Sequence, residues 1–391
     1  MKNVLAGAAG FALLISVMPV SAEIIVSGND GKQMRPGDTV TAPEPDSISV
    51  LSVKDGKVKL LGSVAAPAGM IGPPAAVAVT RDSRLAIVTA CQSLQGDTLV
   101  PADTVSLFDL SVPSNPRVIQ TVHAGPGASG VSISPNGKLV LVASTGDDSV
   151  TAFTLKGRAL TQVGKVQLEK RSSPTDVVFT PNGKTAIAVG RGNSKLMLMS
   201  VNGNTVTATG KDYAPGRSPY GAVVTKDGKY AINTNLGGAL DAAAPAGRPG
   251  GMSRQGTVSM TDLATGNIAA SVVVGPTPEH VVLSADGKYI GVVVANGTAS
   301  VRSDPKFNSV LGLLEIYAVG NGTLTPVTRS DTGHWCQGAV FSRDNRTVLL
   351  QCAAERQIEI YHFDGKTLTR DAAATVAVGA RPGSIASAWS R

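Results

Sequence analysis

The sequence predicts an all-β fold, a seven-bladed β-propeller made of four-stranded antiparallel blades. Three observations predict it: a polar turn that recurs six times, an apolar strand after each turn, and a further strand motif that recurs seven times. Repeats of roughly 40–50 residues that carry only strand patterns are typical of propeller blades. A helical solenoid would show a 3.6-residue apolar period between the turns, and none is present.

The repeat is clearest in Ser134–Leu155. Its turn contains Asn136-Gly137, which accepts positive φ and so closes a hairpin between Val131–Ser134 and Leu139–Ala143. The turns start 45 to 59 residues apart. They are Thr80–Arg84, Ser134–Lys138, Thr180–Lys184, Thr225–Lys229, Ser284–Lys288 and Ser342–Arg346.

Two strands of each blade follow from this pattern. The second strands come directly after the turns, at Leu85–Thr89, Leu139–Ala143, Thr185–Val189, Tyr230–Thr234, Tyr289–Val294 and Val348–Gln351. The third strands are Ser47–Val53, Thr104–Leu110, Ser149–Leu155, Lys195–Val201, Thr257–Leu263, Leu313–Val319 and Gln357–Phe363. Seven third strands against six turns indicate that one blade lacks its turn.

The blade without a turn lies at the N-terminus. Glu23–Ser27, Ser47–Val53 and Val58–Val64 supply its second, third and fourth strands, and the last segment, Arg381–Trp389, resembles a first strand. We therefore expect the C-terminal strand to join the N-terminal blade and close the ring, which leaves no exposed edge between the first and last repeats.

The N-terminal segment, residues 1–22, predicts a secretory signal peptide. It has one positive charge at Lys2, a short apolar run at Phe11–Val17, and Val20-Ser21-Ala22 as a small-residue cleavage site. The run is too short to favour a membrane anchor. We expect residues 23–391 to form one propeller domain, monomeric, without a transmembrane segment, in the periplasm or secreted.

Charge and cysteine content bound the partners. The formal net charge is +7, and a basic residue ends each turn, so these residues should ring one face, either to solvate the turns or to dock an anionic surface. No basic run is interleaved with aromatic residues, which excludes a nucleic-acid partner. Cys336 and Cys352 are symmetric about a hairpin turn and are candidates for a cross-strand disulfide, whereas Cys91 should pack as a small apolar residue.

In a propeller, the loops leading into the first strands open on the same face as the connections between second and third strands, which we call the loop face. The six turns lie on the opposite face, the turn face. The long connections are Asp30–Pro45, Gln92–Asp103, Leu236–Gln255 and Ala295–Ser309. Four long insertions on one face indicate recognition of a ligand or partner there.

Most notable polar residues also precede the first strands. Catalytic candidates are Glu279, His280, Arg217 and His334, and ligand-binding candidates are Arg171, Asp176, Tyr220, Trp335, Gln337 and Arg381. Asp176 and His280 share one offset from their turns, and Tyr220, Glu279 and Gln337 share the next. Equal offsets in successive blades place side chains around a ring, as in a concave polar site.

Each candidate has a structural alternative. Glu279 and His280 suit an acid–base pair, but adjacent strand residues point to opposite faces. The arginines suit a carboxylate or phosphate, or equally the carbonyls of neighbouring blades. His334 and Trp335 suit stacking on a ligand, and Trp335 also suits a gap between blades. No metal motif is present, and we expect no cofactor.

The PNGK or DGK turn followed by an apolar strand that ends in small residues resembles the YVTN-type β-propeller repeat and the lactonase-like seven-bladed propellers. The likeness rests on Ser134–Ala143, Thr180–Val189, Thr225–Asn235 and Ser284–Ala295. Lactonase-like members imply lactone hydrolysis by a Glu, His and Arg set at the channel mouth, and Glu279, His280, Arg217 and His334 are the residues available for it. Exported YVTN-type members resemble binding modules.

The function predicted first is therefore an exported propeller whose loop-rich face binds a small molecule or an exported protein partner. The alternative is a lactonase-type hydrolase of a sugar-acid or related lactone. A further alternative is an accessory propeller of a periplasmic redox system, without haem of its own because no CxxCH is present.

Overall fold

The computed structural model describes residues 22–34, 42–239, 255–299 and 302–390. Apart from Ala22, the predicted signal peptide lies outside them. The described residues form 28 β-strands and no helix. Accordingly, they contain no helix long and apolar enough to cross a bilayer.

The strands, in chain order, make seven blades. Blade 1 holds β1 (Glu23–Asp30), β2 (Ser47–Lys54) and β3 (Lys57–Ala65). Blade 2 holds β4 (Val77–Val79), β5 (Leu85–Gln95), β6 (Thr98–Asp109) and β7 (Arg117–His123). Blade 3 holds β8 (Ala128–Ile133), β9 (Leu139–Ser144), β10 (Ser149–Lys156) and β11 (Ala159–Gln167), and blade 4 holds β12 (Pro174–Phe179), β13 (Thr185–Gly190), β14 (Lys195–Asn202) and β15 (Thr205–Tyr213). Blade 5 holds β16 (Pro219–Val224), β17 (Tyr230–Asn235), β18 (Gly256–Asp262) and β19 (Ile268–Val274); blade 6 holds β20 (Pro278–Leu283), β21 (Tyr289–Val294), β22 (Gly312–Val319) and β23 (Leu324–Thr332); blade 7 holds β24 (Cys336–Phe341), β25 (Thr347–Cys352), β26 (Gln357–Phe363) and β27 (Leu368–Ala377). The last strand, β28 (Arg381–Ser387), returns to blade 1.

Ring closure follows the prediction. The first sheet has the order β28-β1-β2-β3, with β28 antiparallel to β1 and Val26 opposite Ala386. The other six sheets are consecutive four-stranded antiparallel meanders. The predicted all-β, seven-bladed propeller is confirmed, including the closing role of the C-terminal strand.

Side chains close the six turns from within. In the turn of blade 3, Ser134 Oγ donates to Asn136 Oδ1 at 2.8 Å, and the same oxygen accepts the Lys138 N–H at 3.0 Å. Gly137 has a φ of 72°, which a residue with a Cβ adopts only with strain. The equivalent bonds recur at Thr80, Thr180, Thr225, Ser284 and Ser342. This repeated chemistry explains why the turns were recognisable in the sequence.

One long connection differs from the expectation of a loop. Gln92–Asp103 continues the ladder of β5 and β6, with Leu94 opposite Leu99. The alternating side chains and Gly96, at a φ of 58°, extend the hairpin beyond the blade. Most of the Leu236–Gln255 connection, residues 240–254, lies outside the described residues.

The apolar core lies between neighbouring blades. One cluster joins Val282 and Leu314 of blade 6 to Phe341 and Tyr361 of blade 7. Cys336 and Cys352 stand opposite each other across β24 and β25 and are joined by a disulfide within this cluster. Cys91 is a buried free thiol.

Candidate functional site

The residues at the two shared offsets lie where the first strands begin. Those at the first offset, Asp176 and His280, link neighbouring blades. Asp176 Oδ2 accepts the N–H of Ala222 on blade 5 at 3.1 Å, and His280 Nδ1 accepts the N–H of Ala339 on blade 7 at 3.1 Å. Both acceptors lie at an irregularity in the strand register, which frees the next blade's N–H from its own ladder. Asp176 and His280 therefore hold adjacent first strands together.

The second offset brings together polar side chains of three consecutive blades. Tyr220, Glu279 and Gln337 are all buried, on blades 5, 6 and 7. Burial raises the pKa of the Tyr220 phenol, and the nearby Glu279 carboxylate raises it further. Gln337 Oε1 is buried without a hydrogen-bond partner among the described residues. A buried carboxylate can accept a proton, and a phenol that stays neutral can donate a hydrogen bond.

A short segment crosses the loop-face mouth of the channel above these residues. We call Met70–Pro74 the channel segment. It contacts first strands around the ring: a Cβ built on Gly383 would lie 2.4 Å from Met70 Cβ, one on Gly338 would lie 2.9 Å from Pro74 Cβ, and one on Gly221 would lie 3.3 Å from Pro73 Cβ. Since these glycines belong to blades 1, 7 and 5, the segment spans the opening.

Buried charges anchor the chain around the channel segment. Lys32 Nζ contacts Asp46 Oδ2 at 2.7 Å and Asp30 Oδ2 at 3.2 Å, and donates to the Ala68 carbonyl. Asp30 Oδ2 accepts the Met70 N–H at 3.2 Å. Burial raises the pKa of Asp30, and the Lys32 ammonium opposes that shift. The segment is thus tied to blade 1 by an ion cluster shielded from water.

His334 is held by its own surroundings. Its Nδ1 lies 2.5 Å from Glu355 Oε1, and its Nε2 lies 2.5 Å from the Phe307 carbonyl oxygen. Each ring nitrogen thus has an oxygen within hydrogen-bond distance. The ring also stacks on Phe307 at a centroid distance of 3.9 Å. This arrangement fixes the position and orientation of the His334 ring on the loop face.

Trp335 and Arg381 belong to the packing beside the channel segment. Trp335 has a φ of 49° and packs with Met70 and Ala353. The Arg381 guanidinium is buried and donates to the carbonyls of Gln33 and Ala353 at 3.1 and 3.2 Å. Arg381 thus bonds one carbonyl of its own blade, Gln33, and one of blade 7, Ala353, which matches in part the backbone alternative that the sequence left open.

The remaining arginines lie apart from the ring of buried polar residues. Arg171 is exposed, with its backbone N–H bonded to Asp148 Oδ2 at 2.7 Å. Arg217 is half-buried, and its backbone is bonded to Gly237 and Gly238. Of the ten candidates, the structure therefore brings Asp176, Tyr220, Glu279, His280 and Gln337 together and leaves the others around the rim.

Sequence reasoning missed the channel segment. Its only signal was a dense run of Gly and Pro, Gly69 to Pro74, between the last strand of blade 1 and the first of blade 2. Among the described residues, no group of three or more His, Cys, Asp or Glu side chains is arranged to hold a metal ion.

Comparison with known proteins adds the family context. The family model described as "Lactonase, 7-bladed beta-propeller" matches residues 88–224. The resemblance to the lactonase-like seven-bladed propellers is confirmed. No curated protein matches the chain significantly by sequence.

Solved lactonase-like propellers share the fold at low identity. A protein of Bacteroides fragilis described as a candidate 6-phosphogluconolactonase superposes with a TM-score of 0.68 at 20% identity, covering 94% of this chain and 98% of that one. The periplasmic gluconolactonase of Pseudomonas aeruginosa superposes with a TM-score of 0.68 at 16% identity, covering 94% and 99%. A hydrazine synthase chain of Kuenenia stuttgartiensis also matches, with a TM-score of 0.61 at 14% identity and coverage of 82% and 91%. At these identities the likeness shows the fold.

Proposed function

We propose that this chain hydrolyses a sugar-acid lactone at the ring beneath the channel segment. The observation that carries the proposal is that Glu279 and Tyr220 are both buried where neighbouring first strands begin, with burial and the Glu279 charge both raising the pKa of the Tyr220 phenol. The family match over residues 88–224 and the gluconolactonase among the similar structures support it. This support favours lactone hydrolysis over the binding platform predicted first.

Glu279 and Tyr220 have different roles because one accepts a proton and the other donates a hydrogen bond. A lactone is a cyclic ester, so hydrolysis adds water to the carbonyl carbon and breaks the ring C–O bond. Glu279 takes the proton of the attacking water and returns it to the alkoxide that leaves. Tyr220 keeps its proton because its pKa is raised, and so donates to the oxyanion.

His280 acts as a donor. Its Nδ1 accepts the Ala339 N–H, so the neutral ring carries its hydrogen on Nε2. A ring held in that form donates to a substrate oxygen and leaves proton abstraction to the carboxylate. Half-buried Arg217, at the rim, is the cation for an acidic substituent of the substrate.

The test compares two buried glutamates. Glu279→Gln should lower kcat for glucono-δ-lactone by about a hundredfold or more, because it removes the general base but keeps the shape. Glu315→Gln is the matched control, because Glu315 is also buried but lies on a third strand, away from the channel. Glu315 accepts a hydrogen bond from Tyr317 at 2.6 Å. Equal rates for Glu279→Gln and the unaltered chain would reject Glu279 as the base.

We also propose export, with residues 1–22 removed. The short apolar run and the cleavage-site pattern support it, and the similar Pseudomonas aeruginosa enzyme is described as periplasmic. The intact mass of the protein recovered from a periplasmic extract should be that of a chain that starts at Glu23. A cytoplasmic protein that retains Met1 would contradict this proposal.

A further inference from the structure

The opposite mouth of the channel, on the turn face, contains a cavity of about 230 Å³. Phe179, Val223 and Leu283 form part of its wall, and the half-buried Trp389 stands at one side. These side chains come from the outer ends of the first strands and from the residues just after β28. The cavity is thus an apolar recess that opens on the turn face.

The second residues of four turns, Arg81, Pro135, Pro181 and Lys226, form the rim of this recess. Pro135 and Pro181 pack beside Gly183 and Gly228 of the next blades, and the Lys226 stem lies against Gly287. Each glycine has a φ between 66° and 77°, so the turn keeps it and leaves room for the neighbour's side chain. The rim is therefore a collar of fixed shape.

Two cations stand on this collar. Arg81 and Lys226 line the cavity and are exposed, and neither is paired with a carboxylate among the described residues. The adjacent carboxylates are turned away: Asp82 binds Thr80 and the Arg84 N–H, and Asp227 binds Thr225 and the Lys229 N–H. Among the described residues, the opening therefore combines apolar wall residues with two cations that have no carboxylate partner.

We propose that this recess binds a small amphipathic anion, with an unbranched or aromatic hydrocarbon body and a single carboxylate. The body displaces water from the wall formed by Phe179, Val223 and Leu283, and the positive charges of Arg81 and Lys226 attract the carboxylate. The cavity volume accommodates a hydrocarbon of about six carbons. Burial of the methylene groups supplies most of the affinity. This site lies on the other face from the proposed hydrolytic site and stands without it.

Trp389 supplies the reporter. The chain has two tryptophans, so in Trp335→Phe the tryptophan at the recess is the only one that emits. Titration with butanoate, pentanoate and hexanoate should change its emission, with the dissociation constant falling about fourfold for each added methylene. Acetate, which lacks the body, and hexanol, which lacks the charge, should bind at least about tenfold more weakly than hexanoate. Calorimetry on the unaltered chain checks that hexanoate also binds without the Trp335→Phe substitution.

Variants locate the site. Lys226→Gln and Arg81→Gln should each weaken hexanoate binding by about tenfold, whereas Lys229→Gln, three residues from Lys226 but outside the lining, should leave it unchanged. Val224→Phe places a ring in the mouth from a half-buried position and should abolish binding while the thermal transition remains. A flat chain-length series, or unaltered hexanoate binding in Val224→Phe, would overturn the proposal.

Discussion

The two mouths of one channel are finished in different ways. At the loop face, the channel segment Met70–Pro74 crosses the opening and buries Tyr220, Glu279 and Gln337 beneath it. At the turn face, short turns of one repeated design form a collar that leaves an apolar recess open. The loops vary in length and composition, whereas the turns keep one length and one pattern of internal hydrogen bonds.

This difference shows how a repeat fold separates recognition from construction. The turn face inherits its shape from a motif that each blade must satisfy for its own hairpin. The loop face has no such requirement. There, one segment, Met70–Pro74, held by Lys32, covers the channel mouth. Both mouths depend on the closed ring, so the largest predicted effect concerns closure.

Removal of the closing strand should affect both mouths at once. A chain that ends at residue 380 lacks β28 and Trp389, and it leaves β1 unpaired along one edge. We expect loss of the cooperative thermal transition, because the free energy of a domain is only about 5–15 kcal/mol. Replacement of residues 93–100 by a two-residue turn shortens the protruding hairpin and is the control. A truncated chain as stable as the full one would contradict the closure.

Substitution of Lys32 should affect the loop-face mouth alone. Lys32→Met leaves Asp30 and Asp46 without their cation in a buried setting, and removal of one partner of a buried pair costs about 3–5 kcal/mol. Chemical denaturation measures the loss. Lys229→Met, at an exposed turn, should change stability by less than about 0.5 kcal/mol. Equal effects of the two substitutions would show that the ion cluster does not anchor the segment.

The reactivity of Cys91 should report when the channel segment opens. Its Sγ lies 3.0 Å from the Ile71 carbonyl oxygen, and burial raises the pKa of the thiol to about 11. Only the thiolate reacts, so iodoacetamide labelling of the native chain should be slow at pH 8 and rise about tenfold per pH unit towards pH 11. A plateau near pH 9, as for an exposed thiol, would show that the segment does not cover Cys91.

Lys32→Met should increase that labelling rate, whereas Trp389→Phe, at the other mouth, should leave it unchanged. Hexanoate should be equally without effect on it. Any coupling between the mouths would appear as a change in Cys91 labelling on addition of hexanoate, which would contradict their independence.

Periodic features were predictable from the sequence, and single contacts were not. The turns, the strands, and the closure by Arg381–Ser387 follow from repetition, since each copy supports the assignment of the others. The register that opposes Cys336 to Cys352 follows from the same symmetry. Met70–Pro74 has no counterpart in other blades, so no comparison within the sequence could place it.

The candidate site was predictable as a ring but not in its bonds. Equal offsets identified Asp176 with His280, and the structure gives both the same partner, a backbone N–H of the next blade. The pairing of His334 with Glu355, 21 residues away, depends on where two loops meet after folding. The hairpin at Gln92–Asp103 was mistaken for a loop because it has no counterpart at the same place in the other blades.

Pairing between β1 and β28 also orders events during synthesis. The N-terminal blade emerges first, but its inner strand is the last to be made, so Ile24, Ile25 and Val26 present an unpaired edge throughout translation. Such an edge is prone to pairing with other chains. The cell must therefore keep this chain apart from its neighbours until the final residues are available, and the interval lengthens with every blade in the ring.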